Sequence, residues 1–138
     1  MNALYRMHTA LRPGGQLVDL HPDAIHAPVE VCVGDAIVPL GHLDETRHIQ
    51  DVQIARAARQ TVIDAGWFVL ERETRFTFVT HFDTVESWLT YMAEHVQKAV
   101  IPAELVARAR ALLPPGMAGE VRIPRQIHAA RFRRTDDV

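Results

Sequence analysis

Leu11-Arg12-Pro13-Gly14-Gly15-Gln16-Leu17-Val18-Asp19-Leu20-His21-Pro22 is the stretch on which the fold turns. Leu17, Val18 and Leu20 form a short apolar run, as in a strand covered on both faces, while Pro13-Gly14-Gly15 supplies a helix stop and a tight turn. A helix that ends there and feeds a parallel strand is the repeating step of an α/β sheet. Upstream, Leu4, Met7 and Leu11 fall at helical spacing with Ala3 and Ala10 beside them, which predicts a short helix over 2–11. The strand itself is expected over 16–20.

Working outward, the apolar arms 29–33 and 36–40 flank Gly34-Asp35, a hairpin signal in which Gly34 suits the positive-φ position of a type II′ turn. Pro39 marks the second arm as an edge. Over 49–65, Ile54, Ala58, Val62 and Ala65 share one helical face with Val52 and Ala55 beside them, and Gly66 stands where a C-terminal cap belongs. Residues 67–82 are rich in aromatic and β-branched types around Glu71-Arg72-Glu73-Thr74-Arg75; one long bent strand or two would fit. Asp83, with Glu86 three residues on, has the spacing of an N-cap. It precedes the stripe Val85, Trp88, Leu89, Met92 and Val96. A further helix is bracketed by Pro102 and Pro114-Pro115-Gly116. A last strand over 120–133 carries Pro124, which argues for a bulge or an edge.

With 138 residues, 48% apolar and 23% charged, the sequence describes one globular domain with no internal repeat or linker. A formal charge of −2 gives no bulk attraction to nucleic acid or anionic membrane. The basic C-terminal run through Arg131, Arg133 and Arg134 is followed by Thr-Asp-Asp and reads as a solvated edge, so nucleic acid is not an expected partner. No run approaches the ~18 apolar residues of a membrane span and no signal peptide is evident, so a cytoplasmic protein is expected. Cys32, the single cysteine, excludes an intrachain disulfide and reads as an inert buried thiol.

The helix, Leu11-Arg12-Pro13-Gly14-Gly15, apolar strand and Asp19-Leu20-His21-Pro22 resemble the passage into the fifth strand of class I S-adenosylmethionine-dependent methyltransferases. Asp64-Ala65-Gly66-Trp67 is similar to the "AGF" that precedes the sixth strand in that family, and Thr80-His81-Phe82-Asp83 with the next helix looks like a lid-side insertion. The resemblance implies a partial Rossmann-like, methyltransferase-type α/β sheet with a β-hairpin and about four helices. Its last strand, at 127–133, would run antiparallel between the fifth and sixth strands. It also implies that the cofactor-binding half of the fold is missing from this sequence. Members hold the cofactor with a glycine-rich loop and an acidic residue, because backbone N–H groups must approach the methionine carboxylate and a carboxylate must accept the ribose hydroxyls. This sequence contains no G-x-G-x-G, so the chain alone is expected to bind no S-adenosylmethionine unless a partner supplies that half.

For the chemistry, Asp19, His21 and Asp23 fall at the carboxyl end of the strand, where open α/β sheets bind ligands. With His81 they are the substrate-side candidates. The eight histidines lack the helical i, i+4 pairing or Cys/His clustering of dedicated metal sites, so no metal is expected. Cys32 has no evident base and no Gly-x-Ser-x-Gly elbow occurs. The aromatic set is expected in the core. Two functions follow: a methyltransferase-like partial domain, the substrate-side half of a split or truncated enzyme, or a non-catalytic interaction or ligand-binding module on the same half-sheet. A strand that begins the sheet with one edge unpaired predicts a homodimer or a companion chain completing it. The hairpin is the segment that could instead cover that edge from within.

Overall fold

The computed structural model describes residues 3–136; Asn2, the expected start of the first helix, and Asp137 of the C-terminal Thr-Asp-Asp lie outside them. Nine elements follow in order: α1 (Ala3–Ala10), β1 (Gln16–Pro22), β2 (Pro28–Val33), β3 (Ala36–His42), α2 (Thr46–Asp64), β4 (Phe68–Phe82), α3 (Val85–His95), α4 (Ala103–Leu112) and β5 (Glu120–Arg134). The protein is therefore α/β, with five strands and four helices among the described residues. No helix among them is long and apolar enough to cross a membrane.

The strand order is β1-β5-β2-β3, with β4 also paired to β5. β1 runs antiparallel to β5 from Gln16 opposite Arg133 to Pro22 opposite Ile127. β2 and β3 form the expected hairpin around Gly34, whose φ of 59° is the one a type II′ turn needs at its first central position. β3 ends the strand order, as Pro39 requires. β2 pairs antiparallel with Glu120, Val121 and Arg122 of β5, so Pro124 falls between that ladder and the one to β1. The ladders of β1, β2 and β3 are antiparallel, which corrects the expectation of a parallel strand at 16–20. A second correction concerns covering. Residues along β1 alternate between exposed and half-buried, and Val18 and Leu20 are each 61% exposed; the strand is covered on one face only.

The chain clusters into two compact units. The first draws on Met1–Asp23, Asp51–Phe76 and Ile127–Val138, and its core is Val62, Phe68, Ala130 and Phe132 with Leu4, Leu11, Leu17, Ile63 and Trp67 packed around them. The Pro13-Gly14-Gly15 turn ties α1 to the end of β5: Gly14 N–H donates to the Arg134 carbonyl and Arg134 N–H to the Gly15 carbonyl. α2 closes as its sequence predicts. Gly66 has φ 79°, Trp67 N–H reaches back to the Val62 carbonyl at 3.0 Å and Gly66 N–H to that of Ile63 at 2.9 Å, the paired bonds of a Schellman cap. Its inward face differs from expectation, however. Val52 and Val62 are buried while Ile54 is 69% exposed, because the buried face also carries arginines.

The second unit draws on Ala24–Gln50 and Thr77–Gln126. Trp88 is wholly buried there among Val29, Val31, Leu40, Leu105, Ala109 and Val121. Val85 and Met92 of the expected α3 stripe are buried, and Leu89 and Val96 pack against the same core. The cap of α3 is Thr84 rather than Asp83: its hydroxyl accepts from Ser87 N–H, and Ser87 Oγ accepts from Thr84 N–H. A capping box of this kind satisfies two orphan donors at once, which Asp83, one residue too early, does not.

Candidate functional site

β1 presents Asp19 and His21 on one side, since strand side chains two apart share a face, and Asp23 follows just beyond Pro22. Against them α2 brings Arg56 and Arg59, three residues apart and so on one helical face; β4 adds Glu73 and Arg75, and β5 adds His128. Asp23 accepts from Arg56 Nη2 at 2.5 Å and from Arg75 Nε at 3.0 Å. Arg56 Nε donates to His21 Nε2 at 3.4 Å. An arginine nitrogen only donates, so the neutral His21 ring carries its proton on Nδ1, which faces Asp19 Oδ1 at 3.3 Å. The other Asp19 oxygen accepts from Arg59 Nη1 at 3.1 Å. Arg59 Nη2 also lies 3.7 Å from Glu73, whose same oxygen is 3.3 Å from His128 Nε2. The two imidazole rings sit 5.1 Å apart.

The network is neutral when its histidines are: three guanidinium groups meet three carboxylates. Burial alone would raise the Asp23 carboxyl, but the hydrogen bond from Arg56 and the charges of Arg75 and Arg56 hold it below its ordinary value. His128 is only 4% exposed. Its pKa is lowered first by burial, then by the Arg59 charge, with His21 and Arg75 adding and Glu73 opposing. With Nε2 turned to Glu73, His128 Nδ1 is left as a buried lone pair without a hydrogen-bond partner.

Beside this network lies a groove of about 330 Å³ between α1 and α2. Leu17, Phe68 and Phe132 line its inner side, Ala55 and Ala58 of α2 leave it open, and Asp19 and Arg59 are its polar members. The Arg59 stem lies along the apolar floor, with its guanidinium carbon 5.4 Å from the centre of the Phe132 ring.

Of the sequence candidates, Asp19, His21 and Asp23 are brought together. His81 belongs to the second unit, where its Nδ1 is 3.1 Å from Glu120 Oε1 and half its surface is exposed. Arg56, Arg59, Glu73, Arg75 and His128 were not legible as site residues. The available signals were an Arg-x-x-Arg spacing inside an alanine-rich helix and alternating charges in an otherwise apolar strand. No group of three or more metal-ligating side chains is gathered among the described residues. Chemically, each carboxylate of the network already faces an arginine and both His21 nitrogens are engaged, so the cluster orients and neutralises rather than presenting a free base or nucleophile. No protein-family model matches the chain, and comparison with curated proteins and with solved structures returned no match.

Proposed function

We propose that this chain is a methyltransferase-like partial domain, the substrate-side half of a split or truncated S-adenosylmethionine-dependent methyltransferase, with no cofactor site of its own. The observation that carries this reading is the strand pairing. β5 pairs both with β1, which follows Pro13-Gly14-Gly15, and with β4, which follows Ala65-Gly66-Trp67. A closing strand held between those two is what the resemblance implies, with the β2–β3 hairpin and the α3–α4 pair as insertions. S-adenosylmethionine does not fit these residues alone, for want of a glycine-rich loop, and no step is assigned to it.

In this reading the sheet is completed at β1 by another polypeptide. β1 stands at one end of the strand order with β5 as its partner, and the hairpin pairs with β5 through β2 rather than folding onto β1. An uncovered strand edge recruits strands, and the exposed Val18 and Leu20 add apolar surface beside it. For the isolated chain the partner is a second copy, giving a homodimer; for a functioning enzyme it is a companion that carries the glycine-rich half. One observation favours the alternative of a non-catalytic interaction or ligand-binding module: Asp19, His21 and Asp23 are all held by arginines or by one another.

Calorimetric titration with S-adenosylmethionine separates the readings, performed on the chain alone and on its mixture with the polypeptide encoded immediately upstream. Saturable heat from the mixture only, with a G-x-G-x-G in the upstream polypeptide, is expected. Saturable heat from the chain alone overturns the partial-domain reading, and heat from neither supports the module.

A further inference from the structure

We propose that the middle of α2 is a proton-sensitive strap, lying on the sheet of the first unit while His128 is neutral and letting go when that ring takes up a proton. The inference is independent of the proposed function, since every group in it belongs to the first unit and none requires S-adenosylmethionine or a companion chain. What holds the segment down is ionic. Val52 and Val62 are buried, but over 53–61 every residue is exposed except Arg56 and Arg59. Ala55 and Ala58 line the groove and leave it open. No apolar side chain of this stretch is buried, so its attachment rests on two guanidinium groups and their partners.

Those partners come from three strands. β1 contributes Asp19, which accepts from Arg59 at 3.1 Å, and His21, which accepts from Arg56 at 3.4 Å. Asp23, just past β1, accepts from Arg56 at 2.5 Å and from Arg75 of β4 at 3.0 Å. β4 also contributes Glu73, and β5 contributes His128, whose ring lies 5.1 Å from that of His21. One oxygen of Glu73 serves both Arg59, at 3.7 Å, and His128, at 3.3 Å. A proton on His128 acts on this arrangement twice. It sets three guanidinium groups and an imidazolium against three carboxylates, with the new charge competing for the oxygen that Arg59 uses. It also creates an Nδ1–H donor on a ring only 4% exposed, at a nitrogen that has no partner, and a buried donor left unpaired is costly. Both effects are relieved when the segment lifts and water reaches the ring. Burial, and then the Arg59 charge, hold the folded His128 pKa below 6.5, so the released state binds the proton more readily and falling pH favours release. A segment this short does not persist as a helix once it is off the sheet. Its departure also uncovers Phe132, over whose ring the Arg59 guanidinium lies.

Amide hydrogen exchange of the full chain, corrected for the intrinsic effect of pH, reads the strap directly. Between about pH 7.5 and 5.0 the protection of 53–61 should fall by about tenfold or more, while that of α3 in the second unit changes by less than about twofold. His128→Asn keeps a donor for Glu73 and takes up no proton, so its protection over 53–61 should change by less than about threefold across the same range. That variant also separates His128 from His8, which packs against Trp67 and Phe68 and still titrates. Glu73→Gln, at a side chain 45% exposed, unbalances the charges without altering the buried ring. Its protection over 53–61 should be lower by about threefold or more already at neutral pH. Four results each overturn the inference: unchanged protection of 53–61 on acidification, an equal loss in α3, the same loss in His128→Asn, or unchanged protection in Glu73→Gln.

Discussion

Trp88→Ala is the sharpest probe of the second unit. The side chain is wholly buried, lies mid-stripe on α3 and touches a core drawn from the hairpin, α4 and β5, so little can collapse into the space it leaves. Truncating a buried Trp costs about 3 to 5 kcal/mol in lost transfer energy and cavity. One term runs the other way: the indole Nε1 is buried without a hydrogen-bond partner, and removing an unsatisfied donor returns about 1 to 3 kcal/mol of desolvation. The net loss is therefore expected to centre on about 2 kcal/mol. At a urea m-value of about 2 kcal/mol/M, that moves the midpoint down by roughly 1 M with m unchanged. Trp88→Phe removes the same donor while keeping most of the volume, and should cost less than about 1.5 kcal/mol. Urea melts followed by circular dichroism measure both. A Trp88→Ala loss below about 1 kcal/mol, or a Phe variant as damaged as the Ala variant, refutes the packing argument.

Thr84→Ala should cost about 1 kcal/mol by breaking the capping box, and amide exchange in the first turn of α3 should accelerate; Asp83→Ala should leave that turn unchanged. Gly66→Ala should cost about 1 to 2 kcal/mol in denaturant melts through left-handed backbone strain alone, because an added Cβ there meets nothing within 4 Å. On acidification the unfolded chain protonates before buried His128, whose folded pKa lies below the ordinary 6.5. Stability from its neutral ring is thus fully present above that value and falls as pH drops through it. His8, also lowered, by burial and then by Arg134, loses stability in the same window. His128→Asn should therefore flatten, without abolishing, the slope between about pH 7 and 5 in urea melts, and an unchanged slope would show that His128 is not the titrating group. Asp23 acts in a different window: its stability is lost only as pH falls through a folded value below 3.8.

Local signals were readable; which face of each element turns inward, and which distant side chains meet there, was not. The hairpin at Gly34-Asp35, the Gly66 cap and the α3 stripe each depend on residues within a few positions of one another, where φ preference and apolar spacing act directly. β1 misled because Leu17, Val18 and Leu20 are all apolar, and periodicity does not reveal that Val18 and Leu20 face away from the core. α2 misled for the converse reason: Arg56 and Arg59 lie toward the protein, neutralised by carboxylates more than thirty positions away in Asp23 and Asp19, while Ile54 is left outside. Asp19, His21 and Asp23 could be picked out because they end a strand. Their five partners come from α2, β4 and β5, and no local pattern links them.

Sedimentation equilibrium of the purified chain tests most directly the claim that the sheet is open at β1. A species of twice the 15.5 kDa chain mass is predicted, reduced to single chains when Leu20→Lys places a charge on the exposed face of that strand. A 15.5 kDa species persisting at high micromolar concentration would contradict it.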